Sequence, residues 1–279
     1  MSVEASSTYA AFCFTLYGIM SLIKSAEEIQ AMREGGAILS RALQAAVDAV
    51  KPGVTMKELD DIVTEVIEKA GGRPSFKGYT AGGSTPFPTT TCISRNDEVV
   101  HGLGNREIAL EEGDIVGLDI GCWYKDMCTD MAATVPVGKI TAERRVLLLA
   151  TRDAMMAGVE AAVVGKTVKD ISTAIEGATD KKTYGIVKSL VGHGVGHAVH
   201  ESPNVPNYVS KRFPTVELQT GMCLAIEPML TLGGDEVGTG EDGWTIVTLD
   251  GSWSAHFEVT IALLPEGPEI LTPQPNVNI

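Results

Sequence analysis

The chain has 279 residues, 44% hydrophobic and 21% charged, with a formal net charge of −14 from 22 basic and 36 acidic residues. That balance suits a globular protein with a substantial core and argues against nucleic acid as a main ligand, since phosphate backbones bind through clustered cations. Five cysteines (Cys13, Cys92, Cys122, Cys128 and Cys223), odd in number and without a framework spacing, point to a reducing, cytoplasmic setting with no disulfide and no CxxC zinc site.

Residues 8–23 are apolar, yet too short and too interrupted by polar groups to span a bilayer, and Glu4 stands where a signal peptide would carry basic residues. Residues 1–20 are therefore read as an extension outside the fold. No membrane association is expected.

Helix starts are marked by capping boxes. Ser25 with Glu28 opens a helix running through residues 31–50. Thr55 with Glu58 opens a second, closed by Gly71 and Gly72. Thr167 with Asp170 opens a later one. The stretch Gly53–Leu59 matches Gly165–Ile171, 112 residues further on, and the same offset aligns residues 45–49 with 157–161. A helix, a glycine turn and a capped second helix thus occur twice, which predicts two like halves, about 21–136 and 137–272, around a shared sheet. Residues 273–279 read as a tail.

Strand-like runs occupy 91–100, 113–123, 129–136, 221–226, 244–249 and 254–264. Helices and hairpins segregate, so the expected class is α+β with an antiparallel sheet.

Within those runs, acids stand where core residues belong: Asp119 in GLDIG, Asp130 in CTDMA, Glu227 in AIEPM and Glu258 in HFEVT. His193 sits in GHGVGHAVHE, a segment too rich in glycine for a helix, so a strand-like conformation is expected, with His193 and His200 working and His197 a bystander. A buried carboxylate is costly unless paired or bound to a metal, and four acids cannot pair with one another. Two divalent cations held in common is the simplest reading. A hairpin turning near Tyr124 and Lys125 would set Asp119 and Asp130 directly opposite each other, at a Cβ separation of about 4.5–5.5 Å. GKT at 165–167 lacks the upstream glycine of a phosphate-binding loop, and GHGVG at 192–196 is not a dinucleotide fingerprint.

The order Asp119, Asp130, His193, Glu227, Glu258, with SRNDEVVHG around His101, resembles the pita-bread metallopeptidases of family M24, most closely the type I methionine aminopeptidases. The resemblance covers roughly residues 21–272. It implies a pita-bread fold with its active site in a central cleft. It further implies two ions (Co, Mn, Fe or Zn) on Asp119, Asp130, His193, Glu227 and Glu258, with Asp130 and Glu258 bridging. A metal-bridging hydroxide would be the nucleophile and Glu227 the general base. His200 would stabilise the oxyanion, His101 would contact the scissile amide, and a metal would take the substrate α-amine. Phe76, Tyr79, Phe87, Cys92 and Trp244, with His101, match the methionine-binding positions. The implied activity is removal of initiator methionine from nascent chains whose second residue is small. Ribosome association is a family-level expectation, and a monomer is the default expectation for the oligomeric state. An Xaa-Pro aminopeptidase or dipeptidase of the same fold, and a catalytically inactive binding protein, are the alternatives.

Departures from the family pattern are Val199 in place of an aromatic, which would widen the pocket, and Val259 in place of a histidine that supports a ligand from behind. The loop 80–86 also runs about five residues longer than usual.

Overall fold

A computed structural model describes residues 22–80 and 85–279. The expected N-terminal extension and the stretch 81–84 of the long loop lie outside the described residues. Four helices are described: α1 (Ala26–Ala49), α2 (Met56–Lys69), α3 (Ala142–Ala161) and α4 (Val168–Ala178). Both members of each expected capping box bond at Ser25/Glu28 and Thr55/Glu58. At the third start Asp170 Oδ2 accepts the Thr167 N–H and hydroxyl, while the Asp170 N–H donates to the Thr167 carbonyl. Thr141, not anticipated, caps α3 by accepting the Arg144 N–H.

Fifteen strands are described, and every pairing among them is antiparallel. They are β1 (Arg73–Pro74), β2 (Thr91–Arg95), β3 (Glu98–Val100), β4 (Ile115–Tyr124), β5 (Met127–Pro136), β6 (Gly185–Ile186), β7 (Gly192–Gly194), β8 (Glu201–Val205), β9 (Cys223–Ile226), β10 (Met229–Thr231), β11 (Val237–Thr239), β12 (Ile246–Thr248), β13 (Ser254–His256), β14 (Glu258–Leu264) and β15 (Gly267–Ile270). The main sheet runs β1-β4-β5-β14-β9-β7-β8, with β2 also on β4 and β15 also on β14. The α+β class is as expected. The run 244–249 shortens to β12, because Asp242 Oδ1 accepts the N–H groups of Trp244 and Thr245 and turns the chain.

The repeated unit is built with the same bonds twice. Gly53 and Gly165 take left-handed φ of 92° and 84°. The Gly53 and Gly165 N–H groups donate to Leu110 and Leu218 carbonyls, and Met56 and Val168 donate to Ile108 and Val216. Each capped helix is thereby tied to a short extended segment ahead of its half of the sheet.

Period-two alternation decides which face meets the helices. Val116, Leu118, Ile120 and Cys122 of β4, Met131, Ala133 and Val135 of β5, and Val259, Ile261 and Leu263 of β14 join α1–α4 in the main core. The intervening residues (Gly117, Asp119 and Gly121; Asp130 and Ala132; Glu258) form the opposite face. The sheet thus has one apolar face under the helices and one face of small residues and carboxylates.

Register corrects one expectation. The hairpin turns on Lys125 and Asp126, both left-handed (φ 49° and 62°), a two-residue turn of the kind that matches strand twist. Asp119 therefore pairs with Ala132, and Asp130 with Gly121. The two aspartates are diagonal neighbours on one face, not directly opposite, because the turn is centred one residue later than the expected Tyr124–Lys125, which shifts the pairing by two residues.

Only two ladder pairs, Glu258 with Ala132 and Val259 with Met131, join β5 to β14. Side chains stitch that seam. Thr260 Oγ1 accepts the Asp130 N–H and donates to its carbonyl. Gln274, from the tail, donates to the carbonyls of Ala132 and Glu258.

Candidate metal centre and peptide cavity

A cavity of about 280 Å³ opens on the carboxylate face of the sheet. Phe76, Tyr79, Phe87, Cys92, His101, Asp119, Asp130, His193, His200, Glu227, Trp244 and Glu258 all line it. Every residue predicted to act at the site is therefore brought to one place.

The acids arrive from four strands or strand ends: Asp119 on β4, Asp130 on β5, Glu227 just after β9 and Glu258 at the start of β14. His193 is the central residue of β7, as expected for a strand-like segment. Asp130, His193 and Glu258 each present a ligand atom within 4.8 Å of the others. His193 Nε2 lies 3.4 Å from Glu227 Oε1, and its Nδ1 is 2.9 Å from the Gly194 carbonyl, which fixes Nε2 as the free lone pair facing the acids.

The electrostatics are those of crowded, buried acids. Burial pushes the Asp119 carboxyl up to about 7. It raises Asp130, Glu227 and Glu258 well above the usual range, and their mutual repulsion adds to this. Burial likewise lowers His193 to about 3, His256 to about 3 and His101 to about 4. Buried polar atoms are normally satisfied. Yet Asp119 Oδ1, Asp130 Oδ1, Glu258 Oε1 and His256 Nε2 have no hydrogen-bond partner. Oxygen-rich donors with neutral imidazole nitrogen match what a hard-to-borderline divalent cation accepts. The donor set and its orphaned atoms fit such an ion.

His256 is the residue that sequence reasoning missed. Its Nε2 sits 3.7 Å from Glu227 Oε2 and 4.0 Å from Glu258 Oε2. Its backbone N–H and carbonyl both bond Thr134 Oγ1. A period-two reading back from Glu258 would have placed it on the same face. Val100, Ser189, Leu190, Val191 and Met229 complete the lining, with no chemical mark in the sequence to flag them.

The apolar end is built by stacking and turns. Trp244, aimed by the Asp242 turn, meets the edge of Phe87 with ring centroids 5.2 Å apart. Phe87 closes on Tyr79 by a backbone bond of 2.8 Å. Cys92 pairs with Asp119 across β2 and β4, so its thiol faces the acids. His101 holds a left-handed φ of 59°, a strained conformation for a non-glycine residue that turns the chain out of β3 at the cavity wall.

Behind His200 runs a buried clamp. Lys24 Nζ meets Glu201 Oε2 at 2.6 Å, with the Lys24 side chain fully buried, and Glu201 Oε1 accepts the Ala198 N–H. His197 does not line the cavity; its Nε2 lies 2.7 Å from Glu28 Oε1, in keeping with the bystander reading.

The two departures from the family pattern sit differently. Val199 is buried in the apolar cluster that includes the cavity walls Phe76, Phe87 and Cys92, without lining the cavity itself. Val259 pairs with Met131 and Ile226 and points into the helix-facing core, so it touches none of the acids. The cause is alternation: the residue after a site-facing glutamate must face the other way. Among the described residues Cys92, Cys122, Cys128 and Cys223 are buried and free, and Cys13 lies outside them.

The antiparallel sheet, its acid-bearing face and the peptide-sized cavity define a metallopeptidase. The model of metallopeptidase family M24 matches residues 30–263, and the chain belongs to that family. It is 44% identical over 255 residues to a methionine aminopeptidase of Clostridium perfringens, covering 91% of this chain and 99% of that one. A solved methionine aminopeptidase of Thermotoga maritima superposes with a TM-score of 0.85 at 38% identity, covering 90% of this chain and 99% of that one. Prolidase from Pyrococcus furiosus, at 22% identity and a TM-score of 0.74, shares the fold; 94% of this chain covers 68% of that chain. The fold is accordingly pita-bread. No helix among the described residues is long and apolar enough to cross a membrane.

Proposed function

We propose that this protein is a divalent-metal-dependent methionine aminopeptidase that removes the initiator methionine from chains whose second residue is small. The observation that carries it is the joining, in one cavity, of a buried acid–imidazole cluster with orphaned donor atoms to an apolar end walled by Phe76, Tyr79, Phe87, Cys92 and Trp244. Asp119, Asp130, His193, Glu227 and Glu258 would hold two ions, drawn from Mn, Fe, Co or Zn. Such ions acidify water and polarise a carbonyl.

The chain's own groups do the rest. Glu227, facing both His193 and His256, takes the proton of the attacking water and hands it to the leaving amine. His200 donates to the developing oxyanion, and His101, turned to the cavity wall by its left-handed backbone, contacts the scissile amide. The aromatic and thiol walls suit a flexible, polarisable thioether. Residues 21–272 carry the catalytic unit, and the protein works as a cytoplasmic monomer on nascent or free peptides.

The test is hydrolysis of Met-Ala-Ser against Ala-Pro-Ala by metal-stripped protein, before and after Mn or Co is restored. Metal-dependent release of methionine from the first peptide supports the reading. Preferred cleavage of the second would assign the Xaa-Pro specificity instead. No cleavage of either, with metal bound, would leave a binding protein on the same fold.

A further inference from the structure

Tyr79 does more than wall the apolar end. Its hydroxyl lies 2.7 Å from His200 Nδ1, and the two rings are tilted with centroids 5.3 Å apart. On its other side the His200 ring packs edge-on against His193, at 4.3 Å between centroids. The clamp of Glu201 on Ala198 and Lys24 holds the backbone on both sides of His200. The imidazole is thus fixed in place, and the remaining freedom is which nitrogen carries the proton.

A neutral imidazole has one donor and one acceptor nitrogen, and the partner of one decides the role of the other. If Nδ1 donated to the tyrosine oxygen, Nε2 would offer a bare lone pair to a cavity that already holds four carboxylates, and no donor would be left for an oxyanion. If the hydroxyl donates to Nδ1, Nε2 carries the hydrogen. That arrangement is compatible with both the negative field of the cavity and a build-up of charge on a carbonyl oxygen.

We propose that Tyr79 is a positioning residue that donates to His200 Nδ1 and thereby fixes the Nε2–H tautomer, making His200 a standing hydrogen-bond donor to the reacting carbonyl. The inference rests on the proposed peptidase reading for its chemistry, but the tautomer itself does not. Burial raises the Tyr79 hydroxyl above its ordinary value, so it remains a donor through neutral pH. Because Phe87 bonds back to Tyr79 O, the base of the 80–86 loop also sets the position of that donor.

The experiment has two parts. Long-range 15N–1H correlation spectra of the metal-free protein, with the His200 signal assigned from a His200→Gln variant, report the tautomer directly. The expected result is protonated Nε2 and bare Nδ1 in the parent, and a mixture in Tyr79→Phe. A protonated Nδ1 in the parent overturns the proposal, whatever the enzyme does. In the metal-loaded protein, Tyr79→Phe should lower kcat for Met-Ala-Ser about tenfold, the worth of one hydrogen bond. KM and the preference for methionine over norleucine should stay within about twofold, a change well short of that tenfold hydrogen-bond effect. A change in KM and side-chain preference with kcat intact would show a pocket wall only and overturn the positioning role. A parent protein that shows the Nε2–H tautomer yet cleaves neither Met-Ala-Ser nor Ala-Pro-Ala would refute the peptidase reading and not the tautomer.

Discussion

Removing the counter-charge from the acid cluster should make the protein less stable as pH rises, the reverse of ordinary acid denaturation. Asp119 is pushed from 3.8 up to about 7, and Asp130, Glu227 and Glu258 are raised in the same direction. A carboxylate with a raised folded pKa leaves the native state holding the extra proton, so stability falls as pH climbs through that value. The buried histidines work oppositely. His101, His193 and His256 titrate near 4, 3 and 3 when folded, so they favour unfolding only below their unfolded value of 6.5. The clean window is therefore about pH 6.5 to 8, above the histidines and below the thiols. Over it, Asp119 alone costs about 1 kcal/mol, and the other three acids add to that. At this chain length, 1 kcal/mol moves Tm by about 2 °C. Thermal melts in EDTA should thus show Tm falling by at least that much between pH 6.5 and 8. With Mn or Co present the trend should invert, because binding releases the extra protons and tightens with pH. A flat or rising Tm in EDTA would refute the reading of these acids as an uncompensated cluster.

Other perturbations reach different parts of the structure. Glu258→Gln removes a charge that has no protein partner at Oε1, so calorimetric titration should show loss of at least one ion, while EDTA-treated protein melts higher than the parent. Equal metal uptake in parent and variant would exclude Glu258 from the centre. Gly121→Ala would drive a Cβ into Ser75 Oγ and bring it to 2.9 Å from Phe76 Cε1. Overpacking there should cost about 1–3 kcal/mol in urea unfolding and raise KM for methionine peptides as Phe76 shifts into the cavity. Lys24→Met strands Glu201 in a buried position and should destabilise by about 3 kcal/mol. It should also lower kcat through the loosened His200 segment, and an unchanged unfolding midpoint would show that the ion pair is dispensable.

Much of the site was legible because each essential group violates its surroundings. Asp119, Asp130, Glu227 and Glu258 are acids in apolar strands, and burial makes such residues conspicuous. The helix caps were legible for a similar reason, since Ser25, Thr55 and Thr167 each carry an acid three residues on. Register was not legible. A shift of one residue in the turn, to Lys125–Asp126, moves Asp119 from facing Asp130 to facing Ala132, and nothing in the strands themselves distinguishes the two. His256 was hidden by its neighbourhood, because Phe257 breaks β13 from β14 and obscures the period that links it to Glu258. The direction of Val259, into the helix-facing core, was not legible either, since a difference from a family pattern does not say which way a side chain points. The cavity residues Val100, Leu190 and Met229 are ordinary apolar side chains, and only the folded topology gives them a role.

The central claim is that five side chains from opposite halves of the sheet hold a pair of ions at the floor of a methionine-sized cavity. Anomalous diffraction from Mn-loaded crystals tests it most directly. The account predicts two neighbouring peaks, both within bonding distance of Asp130 and Glu258, one also meeting Asp119 and the other His193 and Glu227. A single peak on other residues, or none at saturating Mn, would contradict it.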